Sequence, residues 1–257
     1  MHANNVAHAR HDNLGRDTMN LLETKSLNKW FGGLHVTGDV NFALRDKEIH
    51  CLVGPNGAGK STFFKLILGE IQPDSGSILF DGVDMTHETA YKRIRRGISV
   101  KFQVPGVFPE MSVVQNLTVA LQQVHRCHHE LSAAVERLLP FLHLANDAEQ
   151  LAKNLSHGQK QWLEIGMAVA LQPKLLMLDE PTAGMTPDET YQTGEMLLNL
   201  NQQGMSVLAI EHDMTFVRQI ADRVTVLNYG KLFASGSIND IENDERVIEI
   251  YLGKAYD

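Results

Sequence analysis

The feature that most constrains the fold is a glycine-rich segment at positions 54–62, which reads Gly-Pro-Asn-Gly-Ala-Gly-Lys-Ser-Thr. It matches the pattern G-x-x-x-x-G-K-[ST] and lies between an apolar strand candidate at 49–53 and a helix candidate at 61–68. In this context glycines let successive backbone N–H groups turn toward an anion, and the helix adds the positive end of its dipole. The segment therefore predicts a phosphate-binding loop in an α/β fold.

The chemistry of a triphosphate assigns roles within this loop. We expect Lys60 to bridge the β- and γ-phosphate oxygens and the Ser61 hydroxyl to ligate Mg²⁺. The alternative is a chance glycine-rich turn, which the flanking strand and helix candidates argue against. The predicted nucleotide-binding residues of the loop are Gly54, Pro55, Asn56, Gly57, Ala58, Gly59, Lys60, Ser61 and Thr62.

Composition narrows the function class. The chain has 257 residues, enough for one large domain or a domain with a subdomain. Its net charge of −8 argues against a nucleic-acid-binding protein, which would usually present a basic face. No apolar run approaches the roughly 18 residues of a membrane span. Cys51 and Cys127 are far apart, so we expect a reducing compartment and a Cys51 that serves as a small buried apolar residue.

A second apolar run, at 175–178, ends in Asp179 and Glu180. Such a run is typical of a strand buried on both faces, and it predicts a parallel sheet covered by helices. Carboxylates at the carboxyl end of that strand lie at the ligand-binding edge of an α/β sheet. We expect Asp179 to hold Mg²⁺ and Glu180 to act on the attacking water as general base. Capping of the next helix is the alternative role for the pair.

Two further polar residues follow apolar strands. His212 comes after the run at 206–210 and is a candidate for a hydrogen bond to the γ-phosphate or the water. Gln103 ends the run at 98–103 and is a candidate for contact with Mg²⁺ and the water. Taken alone, a histidine or glutamine in such a place is more often structural or solvated.

The rest of the chain supplies the surroundings. Alternating residues at 22–31 and 34–44 around Gly32-Gly33 predict antiparallel strands, and either Trp30 or Phe31 is available to stack on an adenine or to pack on the sheet. Helical periodicity dominates from about 110 to 165. There Ser156 is either a helix N-cap or part of a second phosphate site, before a helix at 160–171.

The two ends of the chain complete the predicted organisation. A further helix is expected at 239–252. Residues 1–19 read as a disordered extension or, less simply, as a metal-binding tail, and residues 253–257 as a C-terminal tail.

The ordered set of phosphate loop, Gln103, Leu155-Ser156-His157-Gly158-Gln159, Asp179-Glu180 and His212 resembles the ATP-binding subunits of ABC transporters. The resemblance covers residues 20–252 and implies the P-loop NTPase fold of ABC ATPases. That fold has a mixed core sheet, an antiparallel β subdomain and an inserted α-helical subdomain, here at about 110–165. It also implies ATP hydrolysis with Mg²⁺. Ser156, Gly158 and Gln159 would then face the ATP of a second subunit, and Phe31 would stack on adenine.

The same resemblance implies partners. They are a second ATPase subunit, in a heterodimer or a homodimer, two membrane-spanning permease subunits, and indirectly an extracytoplasmic solute-binding protein. The chain would then be peripheral, at the cytoplasmic face of the cell membrane. The permease subunits would dock in the groove beside Gln103, which includes Val107 and Phe108.

Within the family, the segments at 29–34 and 102–108 resemble branched-chain amino acid importer ATPases, and those at 155–167 and 183–186 resemble the urea-uptake branch. His157 and Thr186 depart from the broader pattern, since they replace a glycine and an aspartate. An imidazole at 157 is expected close to the opposing γ-phosphate, and Thr186 removes a carboxylate that would contact the partner. The alternatives are a lipid or lipopolysaccharide export ATPase, a soluble cassette protein acting on DNA or ribosomes, and a nucleotide-binding regulatory module.

Overall fold

The computed structural model describes residues 19–101, 106–125 and 127–252. Within these residues it has ten strands and nine α-helices. The strands are β1 (Asn20–Phe31), β2 (Leu34–Arg45), β3 (Ile49–Val53), β4 (Ser75–Phe80), β5 (Val83–Asp84), β6 (Ile98–Lys101), β7 (Leu175–Asp179), β8 (Ser206–Ile210), β9 (Arg223–Asn228) and β10 (Lys231–Gly236). The predicted N-terminal extension, apart from Met19, and the predicted C-terminal tail lie outside the described residues.

The α-helices follow the same chain order. They are α1 (Lys60–Leu68), α2 (Ala90–Arg95), α3 (Val113–Leu121), α4 (His128–Phe141), α5 (His157–Val169), α6 (Pro187–Gln202), α7 (Met214–Ile220), α8 (Ile238–Glu242) and α9 (Glu245–Leu252). Two short 3₁₀ turns lie between α4 and α5, at Ala145–Asp147 and Ala152–Asn154.

A six-stranded sheet in the order β10-β9-β3-β8-β7-β6 forms the centre of the molecule. Strands β9, β3, β8, β7 and β6 pair in parallel, and β10 pairs antiparallel with β9. The predicted mixed core sheet is therefore confirmed. Because parallel strands end at the same edge, the phosphate loop after β3, the carboxylates Asp179 and Glu180 at the end of β7, and His212 after β8 all lie along one edge.

The second sheet is antiparallel, in the order β2-β1-β4-β5. Phe31 pairs with Leu34 across the predicted glycine turn, where Gly32 has a φ of +59°. A left-handed residue suits a tight hairpin, and glycine adopts it without steric cost. The predicted antiparallel hairpin is confirmed.

The central strands β3, β8 and β7 of the six-stranded sheet are buried along nearly their whole length. Successive side chains of a strand point to opposite sides, so these strands contribute to two cores. On β3, Leu52 joins a core with α1 and the antiparallel sheet, whereas Cys51 and Val53 join a core with the helices α3 to α7. Cys51 is fully buried, as predicted for a small apolar residue.

The helical periodicity predicted from about 110 to 165 is matched by α3, α4 and α5; the boundaries of a helical subdomain there stay a prediction. One expected helix is wrong in detail. The segment at 239–252 is two helices, α8 and α9, because the chain leaves helical hydrogen bonding after Asn243 and the Asp244 carboxylate accepts the N–H of Arg246. Among the described residues, no helix combines the length and apolar character required to cross a bilayer.

Candidate functional site

Backbone contacts hold the phosphate loop after β3. The Ala58 carbonyl accepts the N–H of Gly230 at 2.8 Å, and the Ala58 N–H donates to the Pro55 carbonyl at 3.2 Å. Gly59 has a φ of +100°, and a Cβ at this position would lie 2.7 Å from the Val36 carbonyl oxygen. A larger residue would collide with backbone there, so the path of the loop depends on this glycine.

Lys60 closes the loop over its own backbone. Its ammonium donates to the carbonyls of Gly54 at 2.7 Å and Pro55 at 3.0 Å, and the residue is 6% exposed. Burial lowers the pKa of Lys60, while the negative charges of Glu180 and Asp179 raise it. Lys60 is therefore close enough to interact with the carboxylates that follow β7.

The loop fits a chain of phosphates. Helix α1 begins at Lys60, and its N-cap residue, Gly59, makes no side-chain capping hydrogen bond. Gly57 has a φ of +78°, and a Cβ there would meet nothing within 4 Å, so the loop is open at that point. Ser61 is exposed and Thr62 is half-buried at the start of the helix. Uncapped N–H groups, a positive helix end and a lysine form an anion site of the kind a triphosphate occupies.

The carboxylates after β7 differ in their surroundings. Asp179 is half-buried at the end of the strand, and burial, followed by the charge of Glu180, raises its pKa. Glu180 has a φ of +47°, and its N–H donates to the Ile210 carbonyl at 3.0 Å. A non-glycine residue in this left-handed region stores backbone strain, which is characteristic of functional sites. The residues 180–186, which we call the Glu180 turn, follow from this point.

His212 contacts Glu180 directly. The Nε2 atom of His212 lies 2.9 Å from Oε1 of Glu180, so a proton on Nε2 is donated to the carboxylate. Sequence reasoning placed both residues at this edge, and the structure brings them together. The Asp179 carboxylate and the Ser61 hydroxyl can supply oxygen ligands, which are the ligands that a hard cation such as Mg²⁺ prefers.

The Gln103 prediction lies outside the described residues, as do Phe102, Val104 and Pro105. Just after this segment, the N–H of Gly106 donates to the Glu164 carboxylate at 3.0 Å. Val107 is half-buried against the helical core, and Phe108 is 43% exposed. Of the two residues proposed for docking, Phe108 is therefore the one that presents its ring at the surface.

The two candidate aromatics at the end of β1 have different surroundings. The Trp30 ring stacks on the His35 ring, with centroids 4.1 Å apart and an interplanar angle of 4°. Phe31 is 49% exposed, with the Lys29 ammonium 5.7 Å from its ring centroid. Trp30 thus already has a stacking partner inside the chain, and Phe31 keeps an accessible ring.

Ser156 caps helix α5, as one of its two predicted roles requires. Its hydroxyl accepts the N–H of Gln159 at 3.2 Å, and the Gln159 side-chain oxygen accepts the N–H of Ser156 at 2.9 Å. The reciprocal pair explains why α5 begins at His157 rather than at residue 160. Gly158 is buried, and Gln159 also donates to the Asp147 carboxylate at 2.8 Å.

The two departures from the family pattern contact their own chain. His157 Nε2 lies 2.9 Å from the Ala183 carbonyl oxygen, which accepts its proton. Thr186 caps helix α6, because its hydroxyl accepts the N–H of Glu189 at 3.3 Å. The His157 ring, which we expected to face an opposing nucleotide, is directed to the Glu180 turn of its own chain.

Sequence reasoning missed Glu211, which anchors the Glu180 turn. This residue is 3% exposed, and its Oε1 accepts the N–H of Thr182 at 3.2 Å and the Thr182 hydroxyl at 2.7 Å. Its Oε2 accepts the N–H of His212 at 3.0 Å. Burial raises the pKa of Glu211, against these hydrogen bonds. Its position as the first residue after β8, next to His212, is the signal that could have identified it.

Two further missed residues lie against the site. Lys101 is fully buried at the end of β6, with Nζ 3.5 Å from the Asp179 carbonyl oxygen, and burial lowers its pKa. A lysine inside an apolar strand was the available signal. Burial raises the pKa of Tyr251, on α9, to about 12, and the Gly54 backbone is hydrogen-bonded to its hydroxyl. No local pattern predicts that contact.

Comparisons with known proteins agree with this geometry. The family model described as ABC transporter matches residues 37–183. The probable branched-chain amino acid transport ATP-binding protein LivG of Archaeoglobus fulgidus is 35% identical over 247 residues, which cover 91% of this chain and 96% of that protein. The high-affinity branched-chain amino acid transport ATP-binding protein LivG of Escherichia coli K12 is 37% identical over 251 residues, 91% of this chain and 98% of that protein.

A solved structure agrees in fold. The nucleotide-free ATP-binding cassette from an ABC transporter superposes with a TM-score of 0.83 at 29% identity, covering 92% of this chain and 100% of that chain. ATP-binding subunits of this family are membrane-associated and work with membrane permease components. The chain therefore belongs to the ABC transporter family, and it is an ATP-binding subunit with ATPase activity.

Proposed function

We propose that this chain hydrolyses ATP to power the import of a small polar solute through a pair of permease subunits. One observation carries the proposal: Lys60 of the phosphate loop and the carboxylates Asp179 and Glu180 lie at the same edge of the central sheet and interact electrostatically. A phosphate-binding loop and a carboxylate pair at one edge are what nucleotide hydrolysis requires.

The loop residues 54–62 would hold the triphosphate through backbone N–H groups, with Lys60 leaving its carbonyl partners to contact the β- and γ-phosphates. Ser61 and Asp179 would hold Mg²⁺, together with Gln103. When bound, Mg²⁺ supplies neutralisation of the charge that develops on the phosphoryl group. Burial raises the pKa of Asp179 because it disfavours the ionised carboxylate. A bound cation would stabilise that ionised form, which fits the proposed role.

Glu180 would accept the proton of the attacking water and orient it for in-line displacement. His212 holds the Glu180 carboxylate at 2.9 Å and is placed to contact the γ-phosphate. The exposed ring of Phe31 would stack on adenine. Ser156, Gly158 and Gln159 would contribute the N-terminus of α5 to the nucleotide of a second subunit.

The proposed assembly contains a second ATPase subunit, either a related chain or a copy of this one, and two permease subunits. A solute-binding protein outside the membrane would deliver the solute. The chain would lie at the cytoplasmic face of the membrane, with Phe108 and the neighbouring groove contacting the permeases. The charge of −8 supports a partner other than nucleic acid.

For the solute we propose urea, on the resemblance of residues 155–167 and 183–186 to the urea-uptake branch. A branched-chain amino acid is the second candidate, because the LivG relatives named above, at 35% and 37% identity, carry that transport in their names. We place solute choice in the permease and binding-protein subunits, so transport measurements are needed to distinguish the two solutes.

The test measures uptake of labelled urea and labelled leucine by native cells with a chromosomal Lys60→Ala substitution. Lys65→Ala, an exposed lysine on the same helix, is the matched control and should leave uptake unchanged. Loss of urea uptake alone supports the urea proposal, and loss of leucine uptake alone supports the second candidate. Unchanged uptake of both solutes contradicts the importer proposal and favours export.

A further inference from the structure

The imidazole of His157 lies against the Glu180 turn. Its Nε2 is 2.9 Å from the Ala183 carbonyl oxygen. A Cβ on Gly184 would lie 3.0 Å from Cδ2 and 3.2 Å from Nε2 of the same ring. The ring therefore occupies the space that a side chain at position 184 would need, and it contacts two successive residues of the turn.

The contact fixes the proton on the ring. A backbone carbonyl can only accept a hydrogen bond, so Nε2 of His157 must carry a proton to make this contact. The Gln161 amide nitrogen, one turn further along α5, lies 3.2 Å from the same ring nitrogen, but since an amide NH2 can only donate, it makes no hydrogen bond to a protonated Nε2. A glycine at position 157 would offer no side-chain donor.

The turn itself transmits the contact toward Glu180. The Ala183 N–H donates to the Glu180 carbonyl at 3.2 Å, and the Met185 N–H donates to the Thr182 carbonyl at 3.1 Å. Ala183 is thus held on both sides, with its N–H bonded to Glu180 and its carbonyl bonded to His157. Glu180 has a φ of +47°, a strained conformation that persists only where the surroundings hold it.

A second contact joins the same two segments. Oε1 of Glu189 lies 3.5 Å from the Ser156 hydroxyl, and a Cβ on Gly158 would lie 2.4 Å from that carboxylate oxygen. Oε2 of Glu189 accepts the N–H and hydroxyl of Thr186 at 2.9 and 3.0 Å. This link reaches the end of the Glu180 turn, whereas the His157 link reaches its middle, at Ala183, which is hydrogen-bonded to Glu180.

We propose that His157 is a positioning residue for Glu180, acting through the Ala183 carbonyl to hold the turn that carries this carboxylate. The inference rests on the proposed function, which assigns Glu180 as the general base. Displacing a general base by a fraction of an ångström reduces the rate of the chemical step without changing how the substrate is bound. We expect loss of the His157 hydrogen bond to lower kcat about tenfold.

The experiment compares wild type, His157→Ala and His157→Gln in the full-length chain within the assembled transporter. The glutamine amide can donate to the Ala183 carbonyl, whereas alanine cannot. The alanine variant is expected to lose about tenfold in kcat, with KM and the Kd for ATP within about twofold of wild type. The glutamine variant is expected to recover most of the loss. His129→Ala, an exposed histidine on α4, is the matched control and should be unchanged.

Three results would overturn the inference. Wild-type kcat in His157→Ala would show that the contact does not position Glu180. An equal loss in the alanine and glutamine variants would assign the effect to ring packing. A higher KM or Kd at unchanged kcat would make His157 a nucleotide contact instead.

Glu180→Gln separates this inference from the proposed function. If that variant keeps wild-type turnover, the assignment of Glu180 fails, and the role of His157 fails with it. If Glu180→Gln is inactive while His157→Ala is fully active, only the inference about His157 fails.

Discussion

The phosphate loop and the Glu180 turn lie at one sheet edge but are stabilised differently. Backbone groups hold the loop: the carbonyl of Val36 lies against Gly59, and the N–H of Gly230 bonds to Ala58. Side chains hold the turn, since Glu211 bonds to Thr182, His157 to Ala183, and Glu189 to Thr186. Side-chain substitutions therefore reach the turn more directly than they reach the loop.

This difference suggests a division of labour. A loop shaped by backbone contacts keeps its form when distant side chains change, so ATP binding should depend on few side chains, chiefly Lys60. A turn held by side chains from α5, α6 and the end of β8 should be sensitive to each of them. We therefore expect variants in the turn to change hydrolysis while ATP affinity is preserved.

The largest effect on ATP hydrolysis is expected for Glu180→Gln, which removes the proposed general base from the Glu180 turn and leaves the phosphate loop unchanged. The amide cannot accept a proton from water, so steady-state hydrolysis should fall by about 10²- to 10⁴-fold. Phosphate release assays on the transporter measure this loss. Glu136→Gln, an exposed glutamate on α4, should retain full activity. Near-normal turnover in Glu180→Gln would refute its role.

A smaller effect is expected where the turn is anchored. Glu211→Leu would leave the N–H and hydroxyl of Thr182 and the N–H of His212 without their acceptor. Unsatisfied buried groups cost about 1–3 kcal/mol each, and part of the loss is offset by removing a buried carboxylate, so we expect the free energy of unfolding to fall by about 3 kcal/mol. Urea unfolding at neutral pH measures the change.

Glu211→Gln is the matched control for that prediction. Its side-chain oxygen can still accept from Thr182, so its loss of stability should be clearly smaller than that of the leucine variant. Equal stability of wild type and Glu211→Leu would show that the turn does not depend on this anchor.

The smallest effect concerns β3, which carries the phosphate loop. His50 is 1% exposed, its Nε2 lies 2.7 Å from the Thr225 hydroxyl, and burial lowers its pKa from 6.5 to about 3. Below pH 6.5 His50 therefore binds a proton in the unfolded chain, whereas in the folded chain it stays neutral until the pH approaches 3. The stabilisation is complete above pH 6.5 and declines as the pH falls toward 3.

Between pH 7 and pH 5 this group should remove about 2 kcal/mol from the free energy of unfolding. Urea unfolding of wild type and His50→Gln at both pH values isolates the contribution, because all other titrating groups are shared. His129→Gln should behave as wild type. An identical loss of stability in wild type and His50→Gln would contradict the prediction.

The sequence predicts the position of the site residues along the chain, but it does not predict the side-chain contacts that hold the Glu180 turn. The loop at 54–62, Asp179, Glu180 and His212 were located because each lies at or just beyond the end of an apolar strand, a local pattern. Contacts between distant side chains and loops have no such pattern. Glu211 meets Thr182 across 29 residues, and His157 meets Ala183 across 26.

Local competition explains the remaining differences. Helix α5 begins at His157, earlier than predicted, because Ser156 caps it. The predicted final helix is two helices that separate near Asp244, although apolar periodicity runs across this point. The sequence did not decide whether Trp30 or Phe31 is available to stack on adenine, and in the structure the Trp30 ring stacks on His35. In each case the decisive interaction is a side-chain contact that periodicity does not encode.

The most direct test of this division of labour measures ATP affinity and single-turnover hydrolysis in the same preparations of wild type, Lys60→Ala and Glu180→Gln. Lys60→Ala should weaken ATP binding about 100-fold, because two charge-assisted hydrogen bonds are lost. Glu180→Gln should bind ATP within about twofold of wild type and retain it uncleaved. Cleavage of bound ATP by Glu180→Gln at the wild-type rate, or a loss of ATP affinity as large as that of Lys60→Ala, would contradict the account.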